Sequence, residues 1–206
     1  MKTSVSGHVP RKTAHYKLRR IRCFNEPPRL AMPALLIRPS HDDDLDAITA
    51  VYGWNVEHGT GSFESEAPNV TQMAARRADV VGRGLAWLVA ERDCQVVGFA
   101  YANQFRARDA YRFCLEDSLY LAPDAVGAGI GRLLLTELLA RSEAAGARQM
   151  LAVIGDSTNL ASIGVHRSLG FAHSGTIRSA GRKRDRWLDV VIMQKSLGRG
   201  DSTAPA

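Results

Sequence analysis

The sequence predicts a single mixed α/β domain, and three observations carry that prediction. First, 206 residues with 45% hydrophobic and 23% charged side chains suit one soluble globular domain able to bury a sizeable core. Second, from Leu35 onward short β-rich runs alternate with helical patterns in the order β-α-α-β-β-β-α-β-α-β-β, a mixed sheet in one domain. Third, Ile130, Leu134 and Leu138 recur every four residues in an apolar stripe that Gly146 ends, the clearest helix in the chain.

Each element has its own signal. Leu35–Arg38 reads as a strand ended by Pro39. Asp42–Asp44 supplies an acidic first turn, and Leu45, Ile48, Val51 and Tyr52 the apolar face of the helix that follows. A second helix is expected from about Thr71, as its cap, to Gly84. Leu85–Glu91 and Gln95–Tyr101 suggest a hairpin, and Leu115–Leu121 a strand stopped by Pro123. Ile130–Ala145 is the striped helix, and Met150–Ile154 a fully apolar strand of the buried parallel kind. Ser157–Leu169 reads as a helix closed by Gly170. Phe171–Arg178 and Trp187–Lys195 read as two strands around a basic turn, Gly181–Arg186, on which Lys183 and Arg186 are expected to stay. Residues 34–197 form the domain, and 198–206 a polar tail.

Charge excludes some functions. Residues 1–33 hold eight of the 27 Lys/Arg and one acid, which leaves the remaining 173 residues at net −1. The formal charge of +6 therefore belongs to a basic, Pro-containing extension that reads as disordered, and a nucleic-acid role would rest on it alone. An organellar transit peptide and an initiator at Met32 are both open readings of that extension. The longest charge-free stretch, Cys94 to Phe105, is twelve residues, too short for a membrane span. Cys23, Cys94 and Cys114 are scattered and odd in number, and His41, His58 and His173 show no paired spacing. No metal site and a reducing, cytoplasmic setting are expected.

The most informative stretch is Val126-Gly127-Ala128-Gly129-Ile130-Gly131-Arg132, between a strand and the best helix. Glycines there allow tight turns and bring backbone N–H groups toward an anion at the positive end of the helix. It is not a nucleoside-triphosphate loop, because Gly131 is followed by Arg132 and Leu133. Nor is it a G-x-G-x-x-G fingerprint, whose last position falls on Arg132.

This loop, followed by Asn159-x-x-Ser162 and Leu169-Gly170-Phe171, resembles the GNAT superfamily of acetyl-CoA-dependent N-acyltransferases. Gly129 and Gly131 match the two small positions of Q/R-x-x-G-x-G/A, while Val126 stands where Gln or Arg is usual. Phe105–Arg112, Glu116–Leu121, Ser62-Phe63-Glu64, Gly181-Arg182-Lys183 and Arg186-Trp187-Leu188-Asp189 resemble the phosphinothricin acetyltransferase branch, over about residues 35–197. The resemblance implies a mostly antiparallel mixed sheet flanked by helices, acetyl-CoA as co-substrate, and a small-molecule amine as acceptor, with phosphinothricin and methionine sulfoximine suggested. A homodimer is compatible with it, although no self-complementary face is legible. Acetylation of a protein or peptide amine and a non-catalytic acyl-CoA-binding module are the alternatives.

Acetyl transfer needs a neutral amine, aligned reactants, a stabilised oxyanion and a protonated leaving thiolate. An unperturbed amine of pKa about 10.4 is roughly one part in a thousand neutral near pH 7.4, a cost of ~4 kcal/mol. Glu116 is the expected base, and strand alternation points the neighbouring Asp117 to the opposite face. The resemblance places His166 where many GNAT enzymes have a tyrosine that protonates the thiolate. It places Asn159 and Ser162 on the pantetheine arm, with the backbone of Leu119, Tyr120 and Leu121 beside it and residues 126–132 on the pyrophosphate. Arg106 and Arg108 suit a substrate carboxylate. Tyr111, Phe63 and Trp54 suit the wall of an acceptor pocket, and Ser118 also falls on the acceptor side.

Overall fold

A computed structural model describes residues 35–205, so the basic extension lies outside the described residues. The element order agrees with the sequence reading: β1 (Leu35–Pro39), α1 (Leu45–His58), α2 (Val70–Gly82), β2 (Trp87–Arg92), β3 (Gln95–Gln104), β4 (Cys114–Leu121), α3 (Ile130–Ala144), β5 (Gln149–Gly155), α4 (Leu160–Ser168), β6 (Ala172–Lys183) and β7 (Arg186–Ser196). The seven strands form one sheet in the order β1-β2-β3-β4-β5-β7-β6. Neighbours pair antiparallel except β4 with β5, which are parallel and joined through α3.

Helices cover both faces of the sheet. On one face Ile130, Leu134, Leu135, Leu138 and Leu139 of α3 pack on Leu88, Ala100, Leu115, Met150 and Ala152. On the other, Ile48, Val51, Tyr52 and Val56 of α1 and Met73 and Val80 of α2 close over Trp87, Val89 and Phe99. Alternate residues of β2 thus serve both cores, which is why Trp87–Ala90 are apolar in an unbroken run. Each buried aliphatic side chain contributes about 1.5–3 kcal/mol.

Local chemistry moves several boundaries away from the sequence reading. Helix α2 is capped by Asn69, one turn of reciprocal hydrogen bonds with Gln72 (2.9 Å each way), and not by Thr71. Helix α4 starts at Leu160, later than expected, because Asp156 accepts from the Thr158 amide at 2.6 Å and Asn159 then caps Ser162 N at 3.2 Å. The β6–β7 turn is only Arg184–Asp185, both with positive φ (51° and 59°), so Gly181, Lys183 and Arg186 lie in the strands and not on a loose basic turn. The polar residues after Leu197 are held to the body by Arg148, whose guanidinium donates to the Gly200 and Ala204 carbonyls at 3.2 and 3.1 Å.

The α3 packing generates one stability prediction. Leu138 is fully buried and Leu133, on the same helix, is 48% exposed. Leu138→Ala should cost about 2–5 kcal/mol in urea denaturation, and Leu133→Ala well under that. Equal losses would contradict the assignment of the buried stripe.

Candidate active site

Strands β4 and β5 pair only from Cys114–Asp117 against Gln149–Ala152, although β4 continues to Leu121 and β5 to Gly155. Beyond Asp117 they part, and the gap is the throat of a cleft of about 1100 Å³, above the ~300–1,000 Å³ of most small-ligand sites. The peptide groups lining the gap follow from alternation. Ala122 N donates to Val97 O at 2.8 Å and Phe105 N to Cys114 O at 3.0 Å, so even-numbered β4 residues hydrogen-bond toward β3. Leu119 and Leu121 therefore turn their peptide groups into the gap, where Asn55 Nδ2 already donates to Leu121 O at 3.0 Å.

Below the gap lies the start of α3. Gly127 and Gly129 have φ of 83° and 78°, the left-handed region that glycine enters without cost. Gly129 is the N-cap and no side chain caps the helix, so its first N–H groups are left for an incoming anion. Gly131 lies beside the end of β4: a Cβ there would meet Leu119 Cδ2 at 3.4 Å and Leu121 Cδ1 at 3.5 Å, ordinary contact distances. Val126, Gly127, Gly129, Gly131 and Arg132 line the cleft, as do Leu119, Tyr120, Leu121, Asn159 and Ser162. Ala128 does not line it, and the Ile130 side chain belongs to the core. Uncapped amides, positive-φ glycines and outward peptide groups beside one another fit a long chain carrying phosphate at one end.

The even-numbered side chains of β4 point to the α1 and α2 side. Tyr120 is packed between Tyr52 (4.7 Å, edge-on) and Phe99 (5.4 Å), and burial pushes its phenol well above the usual value. It is a packing residue whose own peptide groups are turned to β3, so of the three expected backbone contacts only those of Leu119 and Leu121 face the gap. Glu116 and Ser118 face the cleft, with Tyr101 opposite. The Glu116 carboxyl makes no hydrogen bond among the described residues. Burial raises its pKa, Arg106 pulls it down and Asp117 raises it, with a net upward shift.

The odd-numbered side chains point to the α3 and α4 side, so Asp117 does face away from Glu116. It still lines the same cleft, because the gap passes through the sheet and opens on both faces. Asp117 Oδ2 lies 3.0 Å from His166 Nε2, and both side chains are almost wholly buried. His166 Nδ1 lies 2.7 Å from the Ser162 carbonyl, and the Phe171 ring meets the imidazole edge-on at 5.0 Å. Burial alone would lower the His166 pKa, but the Asp117 hydrogen bond and charge raise it above its ordinary value.

The α1–α2 loop closes the acceptor side. Phe63 lies against Gly155 and Gly181, where a Cβ would come within 2.6 and 2.5 Å of the ring. Tyr52 donates to Glu64 at 2.9 Å, and Arg76 grips both Glu64 oxygens at 2.7 and 3.1 Å. Lys183 Nζ donates to the Ser62 carbonyl at 2.8 Å, and Arg186 pairs with the buried Asp156 at 3.0 Å. Residues 52, 76, 101 and 156 carry no motif spacing and only the fold reveals their place here, whereas Glu64 lies in the Ser62-Phe63-Glu64 stretch that the sequence singled out.

Three expected substrate residues are not brought to the cleft. Arg106, Arg108 and Tyr111 lie on the exposed β3–β4 loop, which folds on itself through a single helical turn at Asp109–Tyr111 and the Arg112–Asp109 ion pair. Arg106 stacks over Phe105 at 4.4 Å and acts on Glu116 only through its charge. Trp54 is also outside, exposed on α1 and stacked on His58 at 4.9 Å. Among the described residues no cluster of three or more His, Cys, Asp or Glu is placed to hold a metal ion, and no helix is long and apolar enough to cross a membrane.

Comparison with known proteins agrees with this geometry. The profile of the Acetyltransferase (GNAT) family matches residues 48–171. The chain is 52% identical over 176 residues to the phosphinothricin N-acetyltransferase of Alcaligenes faecalis, covering 85% of this chain and 89% of that protein. It is 35% identical over 162 residues to the L-methionine sulfoximine/L-methionine sulfone acetyltransferase of Pseudomonas aeruginosa, covering 78% and 94%. The crystal structure of a phosphinothricin acetyltransferase from Sinorhizobium meliloti in complex with AcCoA superposes with a TM-score of 0.81 at 43% identity, over 84% of this chain and 93% of that one. With a fork between parallel strands, an uncapped glycine loop and these relatives, the chain belongs to the GNAT family and is an N-acetyltransferase.

Proposed function

We propose that this protein transfers the acetyl group of acetyl-CoA to the amino group of a small amino acid or amino-acid-like toxin of the phosphinothricin and methionine sulfoximine type. The observation that carries this reading is the passage of the cleft through the sheet. One face offers an uncapped helix start and outward peptide groups, and the other offers a carboxylate without a hydrogen-bond partner among the described residues. The relatives named for these two substrates support the acceptor class.

The bound co-substrate supplies an activated acyl carbon. The amides at the start of α3 hold its phosphates, and the peptide groups of Leu119 and Leu121 hold its pantetheine arm like an added strand edge. Asn159 and Ser162 flank that arm. Glu116 takes one proton from the acceptor ammonium, directly or through one water; the freed lone pair forms the new C–N bond as C–S breaks, and the nitrogen sheds its second proton to water to leave the neutral amide. The electron pair left on sulfur takes a proton from His166, which donates from both ring nitrogens.

The direct test is thiol release from acetyl-CoA with phosphinothricin, methionine sulfoximine, free amino acids and short peptides as acceptors. Saturable turnover with one small amino acid and none with peptides is expected; turnover with peptides alone would refute the acceptor class. Glu116→Gln should lower kcat by about 10²–10⁴-fold with acetyl-CoA affinity unchanged. As a base it must be ionised, so kcat/KM falls as pH drops through its pKa. That limb should lie above the ordinary carboxylate range and vanish in the glutamine variant. Turnover that keeps the same limb in Glu116→Gln removes Glu116 as the base. Gly129→Val forces a β-branched residue to a φ of 78° and should abolish acetyl-CoA binding by calorimetry. Unaltered affinity would refute the loop assignment.

A further inference from the structure

The buried pair on the α4 side of the fork contains more than an acid needs. Nδ1 of His166 faces the Ser162 carbonyl, which can only accept, so Nδ1 carries a proton. Nε2 faces a carboxylate oxygen, so a second proton lies between Nε2 and Asp117 Oδ2. The other carboxylate oxygen, Asp117 Oδ1, is buried without a hydrogen-bond partner among the described residues. A buried carboxylate with one hydrogen bond depends on its counter-charge, so Asp117 and His166 bind the second proton jointly. Asp117 is the charged group acting on His166. Around the ring, α4 itself contributes the Ser162 carbonyl, the Phe171 edge closes one side, and Glu116 points to the opposite face of β4.

We propose that Asp117 is a positioning residue for His166, holding the imidazole doubly protonated and fixed at the fork, so that the pair stores the proton the leaving sulfur takes. This rests on the reading of His166 as the proton source. In the step, the electron pair of the broken C–S bond forms S–H with the Nε2 proton. His166 is left as its Nδ1–H tautomer on the Ser162 carbonyl, Asp117 remains anionic, and the pair reloads one proton from solvent. The need is quantitative. An ordinary imidazole of pKa about 6.5 is only about one-tenth protonated at pH 7.4, which would leave roughly nine enzyme molecules in ten without the proton. The thiolate of an ordinary thiol, pKa about 8.5, is more basic than an ordinary imidazole, pKa about 6.5, and so can take a proton from an imidazolium.

The test uses the full chain with labelled histidine, following His166 by NMR (assigned with His166→Gln), together with kcat against pH for Asp117→Asn, His166→Gln and the double variant. Expected for Asp117→Asn is a His166 titration moved to lower pH, an alkaline limb of kcat moved down with it, about a tenfold loss at pH 7.4 recovered at lower pH, and unchanged acetyl-CoA affinity. Asp117→Ser, which keeps a small polar group, should move the limb the same way if Asp117→Asn folds poorly by thermal melting. In the His166→Gln background, Asp117→Asn should add no further loss. An alkaline limb at one pH in wild type and both Asp117 variants overturns the proposal, as does an undiminished extra loss in the double variant. If His166→Gln itself turns over normally, the proton-source reading falls and this inference with it. If His166→Gln is slow while Asp117→Asn behaves as wild type, only the role of Asp117 falls.

Discussion

The parting of two parallel strands is the constraint on which the rest of this structure depends. A parallel pair cannot be closed by a short turn, so β4 and β5 are joined through α3, and the buried face of α3 fixes where that crossover begins. Its start lies under the end of β4, which sets the Gly127–Gly131 backbone beside the peptide groups that β4 turns out once β5 has left. Strand pairing ceases after Asp117 and Ala152, so four features occur together there: a gap, outward amides, an uncapped helix end, and access from both faces. None would be a site alone. Their coincidence is a consequence of topology, and it explains how side chains on opposite faces of one strand serve a single cleft.

At that fork two consecutive carboxylates are placed in different electrostatic settings. Glu116 has no hydrogen-bond partner among the described residues and is raised by burial, whereas Asp117 is tied to an imidazole. The remaining cleft carboxylates are already engaged. Glu64 is held below the usual range by Arg76 and Tyr52 in spite of burial, and Asp156 by Thr158 and Arg186. They set the shape of the walls and differ from Glu116, which is held by no such partner among the described residues.

The fold was legible because its periodic elements are strong. The stripe of α3, the doubly buried β2 and the apolar β5 stand out in sequence, and so does the glycine loop. Boundaries governed by one side-chain hydrogen bond were not legible: Asn69 in place of Thr71, and Asp156 delaying α4. The Arg184–Asp185 turn was hidden because neither residue belongs to the Asn-Gly type that signals such turns. Alternation along β4 correctly separated Glu116 from Asp117. It could not show that both line one cleft, since alternation carries no information about where a sheet opens. Arg106, Arg108 and Tyr111 were misplaced for a related reason, as a loop's fold depends on contacts such as Arg112–Asp109 that no spacing encodes.

The way the acceptor side is closed bears on what can enter it. The α1–α2 loop and the end of α1 are joined to the β6–β7 hairpin and the end of β5: Phe63 against Gly155 and Gly181, Lys183 on the Ser62 carbonyl, and Arg184 on the carbonyls of Glu57 and His58. Holding the Lys183 ammonium there is costly, since burial and Arg184 both lower its pKa, and the hydrogen bond to Ser62 offsets that cost. A long acceptor that needed that room would have to break several charge-assisted hydrogen bonds before making its own. The closure therefore works against a bulky acceptor, and it does so through the Lys183 and Arg184 side chains meeting backbone carbonyls, so it is the hairpin's side chains that set it.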